Sequence, residues 1–138
     1  MIRMTRRYAF SAAHVLARPD WSDERNQAVY GKCANPGGHG HNYVLEVTVR
    51  GEIDPESGRV VPVERLDALV QRRVLELLDH RFLNREIAEF GSEVPTAENI
   101  ARFAWRALKG ELSPALLDRV RLVETQNNSV EYREEEGG

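Results

Sequence analysis

The sequence predicts an α+β domain with the element order β-β-α-α-β-β, and three observations carry that prediction. Apolar and polar residues alternate near both ends of the chain, the period of half-buried strands. Between them, two segments repeat apolar residues at helical spacing. Strands paired at both ends, with helices in the middle, build an antiparallel sheet with the two helices on one face. At 138 residues, 41% hydrophobic and 30% charged, the chain suits one compact domain, read as residues 1–133, with an acidic tail at 134–138.

Taken in order, Ile2, Met4, Tyr8, Phe10, Ala12 and His14 share one side of the first strand, while Arg3, Thr5, Arg7 and Ser11 take the other. Arg6 breaks the alternation. Residues Arg18 to Lys32 and the Asn35-Pro36-Gly37-Gly38 tetrapeptide read as one long loop ending in a turn. In the second strand, His39, His41, Tyr43, Leu45, Val47 and Val49 share a parity opposite to Asn42, Glu46, Thr48 and Arg50. After the turn Asp54 to Gly58, a helix runs from Val63 to Leu78 with Pro62 at its start. The second helix starts after Thr96, a side-chain cap, and ends before Gly110. The chain closes with a strand from Val120 to Thr125, a turn at Asn127-Asn128, a strand from Ser129 to Tyr132, and a disordered acidic tail. Four strands cannot close a barrel alone, so the sheet keeps two edges, which proteins cover or pair with another subunit.

Charge and composition exclude several functions. The net charge is −3, with no basic tract of the kind that grips nucleic acid. The 19 basic residues include only two lysines, Lys32 and Lys109, but an arginine excess follows as readily from genomic composition as from phosphate binding. No apolar run approaches the ~20 residues of a membrane span, and the first seven residues lack the apolar core of a secretory signal. A cytoplasmic protein without nucleic-acid or membrane partners is expected. One cysteine, Cys33, rules out a disulfide framework within the chain.

The chemistry concentrates in a few residues. His39 and His41 form an i, i+2 pair that an extended chain projects to one side, about 6.6 Å apart at Cα. His14 lies on the matching apolar side of its own strand, where an unpaired imidazole is costly. The three either form an open Zn²⁺ site or are two solvated histidines and one satisfied core histidine. Cys33, six positions before His39, reads as a fourth metal ligand, a reactive thiolate beside the metal, or a small buried hydrophobe. Asp79-His80 at a helix end is a proton-relay pair or an ordinary polar terminator. Glu124 falls on the apolar side of its strand and needs either a ligand with adjacent N–H donors or an arginine partner.

Five motifs in order complete the pattern: Phe10-Ser11-Ala12-Ala13-His14; Tyr30 through Tyr43 with Cys33, Asn35-Pro36-Gly37-Gly38 and His39-Gly40-His41; Leu78-Asp79-His80; Pro95 to Asn99; and Glu124 to Asn128. In order and spacing the chain resembles the 6-pyruvoyltetrahydropterin synthase family over nearly its whole length. That resemblance implies the tunnelling fold (T-fold), in which subunits join their sheets into a trimeric barrel and two trimers stack into a homohexamer. It also implies that His14, His39 and His41 bind Zn²⁺, that Cys33 is the catalytic thiol with Asp79 and His80 as relay, and that Glu124 and Thr96 hold a pterin substrate. Sites form between subunits in the family, so Asp79-His80 is expected to serve a neighbour's Cys33. The implied reaction converts 7,8-dihydroneopterin triphosphate to 6-pyruvoyltetrahydropterin and triphosphate. The related 6-carboxytetrahydropterin synthase of queuosine biosynthesis is the alternative; the five residues between Cys33 and His39, and the Asn127-Asn128 turn, favour the pyruvoyl enzyme. A non-catalytic zinc-stapled binding module, with Cys33 as fourth ligand, is the reading from a different class. Two departures stand out: Pro62 where relatives usually carry an acidic or amide residue, and Ala97 where some carry a hydroxyl.

Overall fold

The computed structural model describes residues 1–135. Its elements are β1 (Ile2–His14), α1 (Asp23–Tyr30), a 3₁₀ turn (Gly31–Ala34), β2 (His39–Gly51), α2 (Val63–Val70), a π-helical stretch (Gln71–Leu75) and α3 (Glu76–Leu78). They continue with β3 (Arg81–Phe82), α4 (Leu83–Glu86), a second 3₁₀ turn (Ala88–Gly91), α5 (Ala97–Leu108), β4 (Leu116–Thr125) and β5 (Asn128–Tyr132). The strands form one sheet in the order β3-β1-β2-β4-β5, antiparallel throughout except that β3 runs parallel to β1.

The expected α+β plan holds, and the period-2 alternation determines what the sheet buries. Phe10, Tyr43, Leu45, Val47, Val49, Val120 and Leu122 face the helices, where Leu66, Val70, Val74, Leu78, Ile100, Ala104 and Leu108 meet them. Each such large side chain contributes about 1.5–3 kcal/mol on burial. The helix predicted from Val63 to Leu78 is continuous, but one π-helical stretch shifts its register before Asp79. Pro62 sits at its N-cap without a side-chain hydrogen bond, while its carbonyl accepts from the Arg65 and Leu66 amides.

The opposite face is polar. Glu46 is nearly buried beneath Arg7, Arg119 and Arg121, whose nearest nitrogens lie 3.2, 3.6 and 2.8 Å from its oxygens. Asp118 is likewise enclosed by Arg3, Arg50 and Arg133 at 3.1–3.3 Å. Much of the arginine excess therefore solves a burial problem, since a buried carboxylate requires compensating charge.

Three expectations need correction. The polar segment read as loop contains α1, an eight-residue helix with Ser22 Oγ accepting from the Arg25 amide and Asp23 and Glu24 in the first turn. It buries only Asn26, so it has no apolar stripe for periodicity to find. The sheet has a fifth strand, β3, only two residues long. In the last hairpin the turn falls at Gln126-Asn127 and Asn128 already belongs to β5, while β4 begins at Leu116 rather than Val120. Glu134, the first residue of the acidic segment expected at 134–138, accepts hydrogen bonds from Lys109 Nζ and Tyr132 Oη, both at 2.9 Å; residues from 136 onward lie outside the described residues. Two sheet edges stay open, because β3 covers β1 only at Ala12 and Ala13 and nothing among the described residues pairs with the outer side of β5.

Candidate active site

The β1-β2 ladder assembles three histidines. Its register sets His14 directly opposite His39 and Ala12 opposite His41, so all three imidazoles emerge on one face, with a small alanine leaving room at the third. Ring centroids are 4.6, 5.1 and 4.9 Å apart, and the planes meet at 68–89°. One ligand atom from each ring lies within 4.8 Å of the others, and His14 Nε2 is 2.9 Å from His39 Nε2. Tetrahedral zinc at the usual Zn–N length needs nitrogens about 3.3 Å apart, so small ring movements suit this triad to a metal.

The turn before β2 is built for close packing. Gly38 adopts φ +74°, and a Cβ there would lie 2.9 Å from two Phe82 ring carbons and 3.2 Å from the His14 carbonyl oxygen. At the end of β1, the Asn84 amide accepts from Val15 N and donates to Val15 O at 2.8 and 2.9 Å, fixing the residue after His14. His14 is fully buried, and its Nδ1 lies 2.8 Å from the Pro95 carbonyl oxygen. A carbonyl only accepts, so Nδ1 carries the proton and Nε2 presents its lone pair to the cluster. Burial lowers the pKa of His14 and of His39, with the neighbouring imidazoles adding to the effect, which favours the neutral form of both rings.

Glu124 belongs to the same site. It follows Leu122 on the helix-facing side of β4, and its charge acts on His14, His39 and Tyr43. Burial, reinforced by that charge, keeps the Tyr43 hydroxyl protonated far above the ordinary range. The Glu124 carboxylate accepts one long hydrogen bond, 3.3 Å from Asn128 Nδ2, and makes no ion pair among the described residues. The arginine-partner alternative for Glu124 therefore fails. Thr96 caps α5, its hydroxyl oxygen accepting from the Asn99 amide at 3.2 Å, directly after the Pro95 carbonyl that holds His14.

Asp79 and His80 form a pair, with Asp79 Oδ1 2.9 Å from His80 Nδ1. The same oxygen accepts from the Ser11 amide at 2.9 Å, while the His80 amide donates to the Ser11 carbonyl at 2.6 Å. This docks the dipeptide on β1, just before β3. His80 has φ +61°, a left-handed conformation that costs a non-glycine residue about 1–2 kcal/mol. The Ser11 amide, and secondarily His80, hold the Asp79 carboxyl below the usual range. The His80 ring stands beside the open β1 edge with its side chain 82% accessible. A groove of about 490 Å³ lined by Ser11, His41, Asn42, His80, Arg81 and Phe82 runs along this edge.

Cys33 lies in the 3₁₀ turn, where its carbonyl accepts from the Leu16 amide at 2.8 Å. Its sulfur is not in the histidine cluster and hydrogen-bonds to none of the described residues. Within one chain the thiol therefore meets neither a metal ligand set nor the Asp79-His80 pair. Sequence reasoning places Ser11, Tyr43 and Pro95 in motifs but assigns them no contact; the structure shows the Ser11 backbone clasping Asp79-His80, the Pro95 carbonyl and the Tyr43 hydroxyl against His14, and Asn84 clasping Val15.

Comparison with known proteins agrees with this geometry. The family model described as 6-pyruvoyl tetrahydropterin synthase matches residues 3–135. The 6-pyruvoyl tetrahydrobiopterin synthases of Pongo abelii and Homo sapiens are 42% and 41% identical, each over 96% of this chain and 92% of the relative. The solved 6-pyruvoyl tetrahydropterin synthase of Caenorhabditis elegans superposes with a TM-score of 0.92 at 40% identity, covering 97% of this chain and 96% of that one. The 6-carboxy-5,6,7,8-tetrahydropterin synthase of Haemophilus influenzae is more distant, 27% identical over 97% of this chain and its own full length. With this fold, a three-histidine cluster at the head of its first ladder and near-complete alignment, the chain belongs to the 6-pyruvoyl tetrahydropterin synthase family.

Proposed function

We propose that this enzyme is a zinc-dependent lyase converting 7,8-dihydroneopterin triphosphate to 6-pyruvoyltetrahydropterin and triphosphate. The observation that carries the reading is the convergence of His14, His39 and His41, with the His14 tautomer fixed by the Pro95 carbonyl, near a Glu124 that makes no ion pair among the described residues. The three imidazoles hold Zn²⁺, which when bound supplies Lewis-acid stabilisation of negative charge developing on the substrate side chain.

The chain's own residues do the rest. Glu124 accepts from the N–H edge of the pterin ring, and the Thr96 hydroxyl, whose oxygen already caps α5, donates its remaining hydrogen to the ring. Cys33 takes and returns carbon-bound protons. Asp79 holds His80 in the tautomer that leaves Nε2 basic, and the pair exchanges protons with the thiol. Because the Cys33 sulfur hydrogen-bonds to none of the described residues and His80 is exposed at an open sheet edge, the thiol and the relay pair meet across a subunit boundary. The two open edges support a trimeric barrel, stacked in pairs as a homohexamer. No helix of the described residues is long and apolar enough to cross a membrane, in keeping with a cytoplasmic enzyme.

Incubating the zinc-loaded protein with the triphosphate substrate is expected to release triphosphate. The Cys33→Ala variant should keep one zinc per chain and lose at least about 100-fold in turnover. Loss of the metal in that variant would instead mark Cys33 as a ligand and support a structural zinc site.

A further inference from the structure

Tyr43 is fully buried against the metal site, and nothing in the reading above assigns it a task. Its ring stacks on Phe10 at 4.9 Å and 13°, which pins one face. The same ring meets His41 edge-on at 5.5 Å and His14 at 6.3 Å. Its hydroxyl oxygen lies 3.3 Å from His14 Nδ1, the nitrogen that donates to the Pro95 carbonyl at 2.8 Å. The proton on Nδ1 is therefore shared between two acceptors, the carbonyl being the shorter and stronger. The tyrosine's own hydrogen finds no acceptor among the described residues, although buried tyrosine hydroxyls usually have one.

We propose that Tyr43 is a positioning residue of the metal site, which with the Pro95 carbonyl brackets the His14 Nδ1–H and fixes the planes of His14 and His41 for coordination. The inference rests on the zinc reading of the three histidines. Partners that orient a ligating imidazole typically change metal affinity 10–100-fold when removed. Pro95 contributes a backbone atom that substitution cannot delete, whereas Tyr43 contributes a side chain that it can. The ring acts as a wall behind two ligands, and the hydroxyl trims the angle of one.

The test compares wild type and Tyr43→Phe, which keeps the ring and removes only the oxygen. Zinc affinity is measured by chelator competition, the Co²⁺-substituted protein by its visible ligand-field spectrum, and the zinc-free chains by urea unfolding. Expected results are zinc affinity weaker by about tenfold, shifted cobalt bands, and an unfolding midpoint unchanged in the zinc-free chain. Tyr43→Leu, which also removes the wall, should weaken zinc binding by about 100-fold. Wild-type zinc affinity and an unaltered cobalt spectrum in Tyr43→Phe overturn the inference alone. An equal loss of stability in the zinc-free chain overturns it too, by marking a merely structural role. A wild-type chain that takes up no zinc overturns the zinc reading and this inference with it.

Discussion

Gly38→Ala should be among the most damaging single-methyl additions in this chain, and its cost can be divided into two parts. The residue closes the turn that delivers His39 to the histidine cluster, with its amide donating to the Asn35 carbonyl at 2.9 Å. Its φ of +74° costs an alanine about 1–2 kcal/mol in torsion alone. The new Cβ would also press within 2.9 Å of the Phe82 ring and 3.2 Å of the His14 carbonyl, an overpacking worth about 1–3 kcal/mol. The expected total is about 2–5 kcal/mol, read as the change in urea unfolding free energy of the zinc-free chain. In a Phe82→Ala background the clash with the ring should vanish while the torsional cost and the close approach to the His14 carbonyl remain, giving a coupling of at most about 3 kcal/mol in the double-mutant cycle. A total below about 0.5 kcal/mol would refute the account of the turn. Zero coupling would refute Phe82 as the obstacle.

Other outcomes follow from the same contacts. Asp79→Asn should retain zinc and fold normally, because the amide oxygen still accepts from the Ser11 amide and still faces His80 Nδ1, but the neutral amide would no longer stabilise positive charge on the His80 ring during proton transfer. Turnover should drop about 100-fold or more, and a wild-type rate would remove Asp79 from the relay. The stability of the zinc-free chain should depend on pH through His14 and His39, whose folded pKa values are lowered by burial. Above the ordinary imidazole pKa of about 6.5 both states are neutral and the contribution is complete. As pH falls below that value the unfolded chain takes up protons first, so stability declines by at most about 1.4 kcal/mol per pH unit for each histidine. Urea titrations at pH 7 and pH 5.5 check this, and a His39→Gln variant as steep as wild type would contradict it.

The sequence made the three-histidine cluster legible because strand parity suffices to bring three side chains to one face. His14 pairs with His39 in register, and the apolar neighbours that flagged the parity, Phe10, Tyr43 and Leu45, are the residues that bury the sheet. What holds the cluster was not legible. The Pro95 carbonyl reaches His14 across 81 positions, and a backbone oxygen leaves no trace in residue type. The α1 helix escaped because periodicity reports burial, and α1 buries a single asparagine whose amide clasps the Arg18 backbone. The Ser22-Asp23-Glu24 run was its one available signal. Cys33 illustrates a limit of another kind. Its closeness to His39 in sequence suggested that it could fold back to the metal, yet the 3₁₀ turn ties its backbone to Leu16 and leaves the thiol outside the cluster. Under the proposed assembly the thiol would meet the relay pair of a neighbouring subunit, and spacing within one chain carries no sign of such a contact.

Product identification tests the central claim most directly. Zinc-loaded protein given 7,8-dihydroneopterin triphosphate should yield 6-pyruvoyltetrahydropterin by mass spectrometry, with one triphosphate released per pterin. Formation of 6-carboxytetrahydropterin with acetaldehyde, or no triphosphate release from a chain carrying its full zinc, would contradict it.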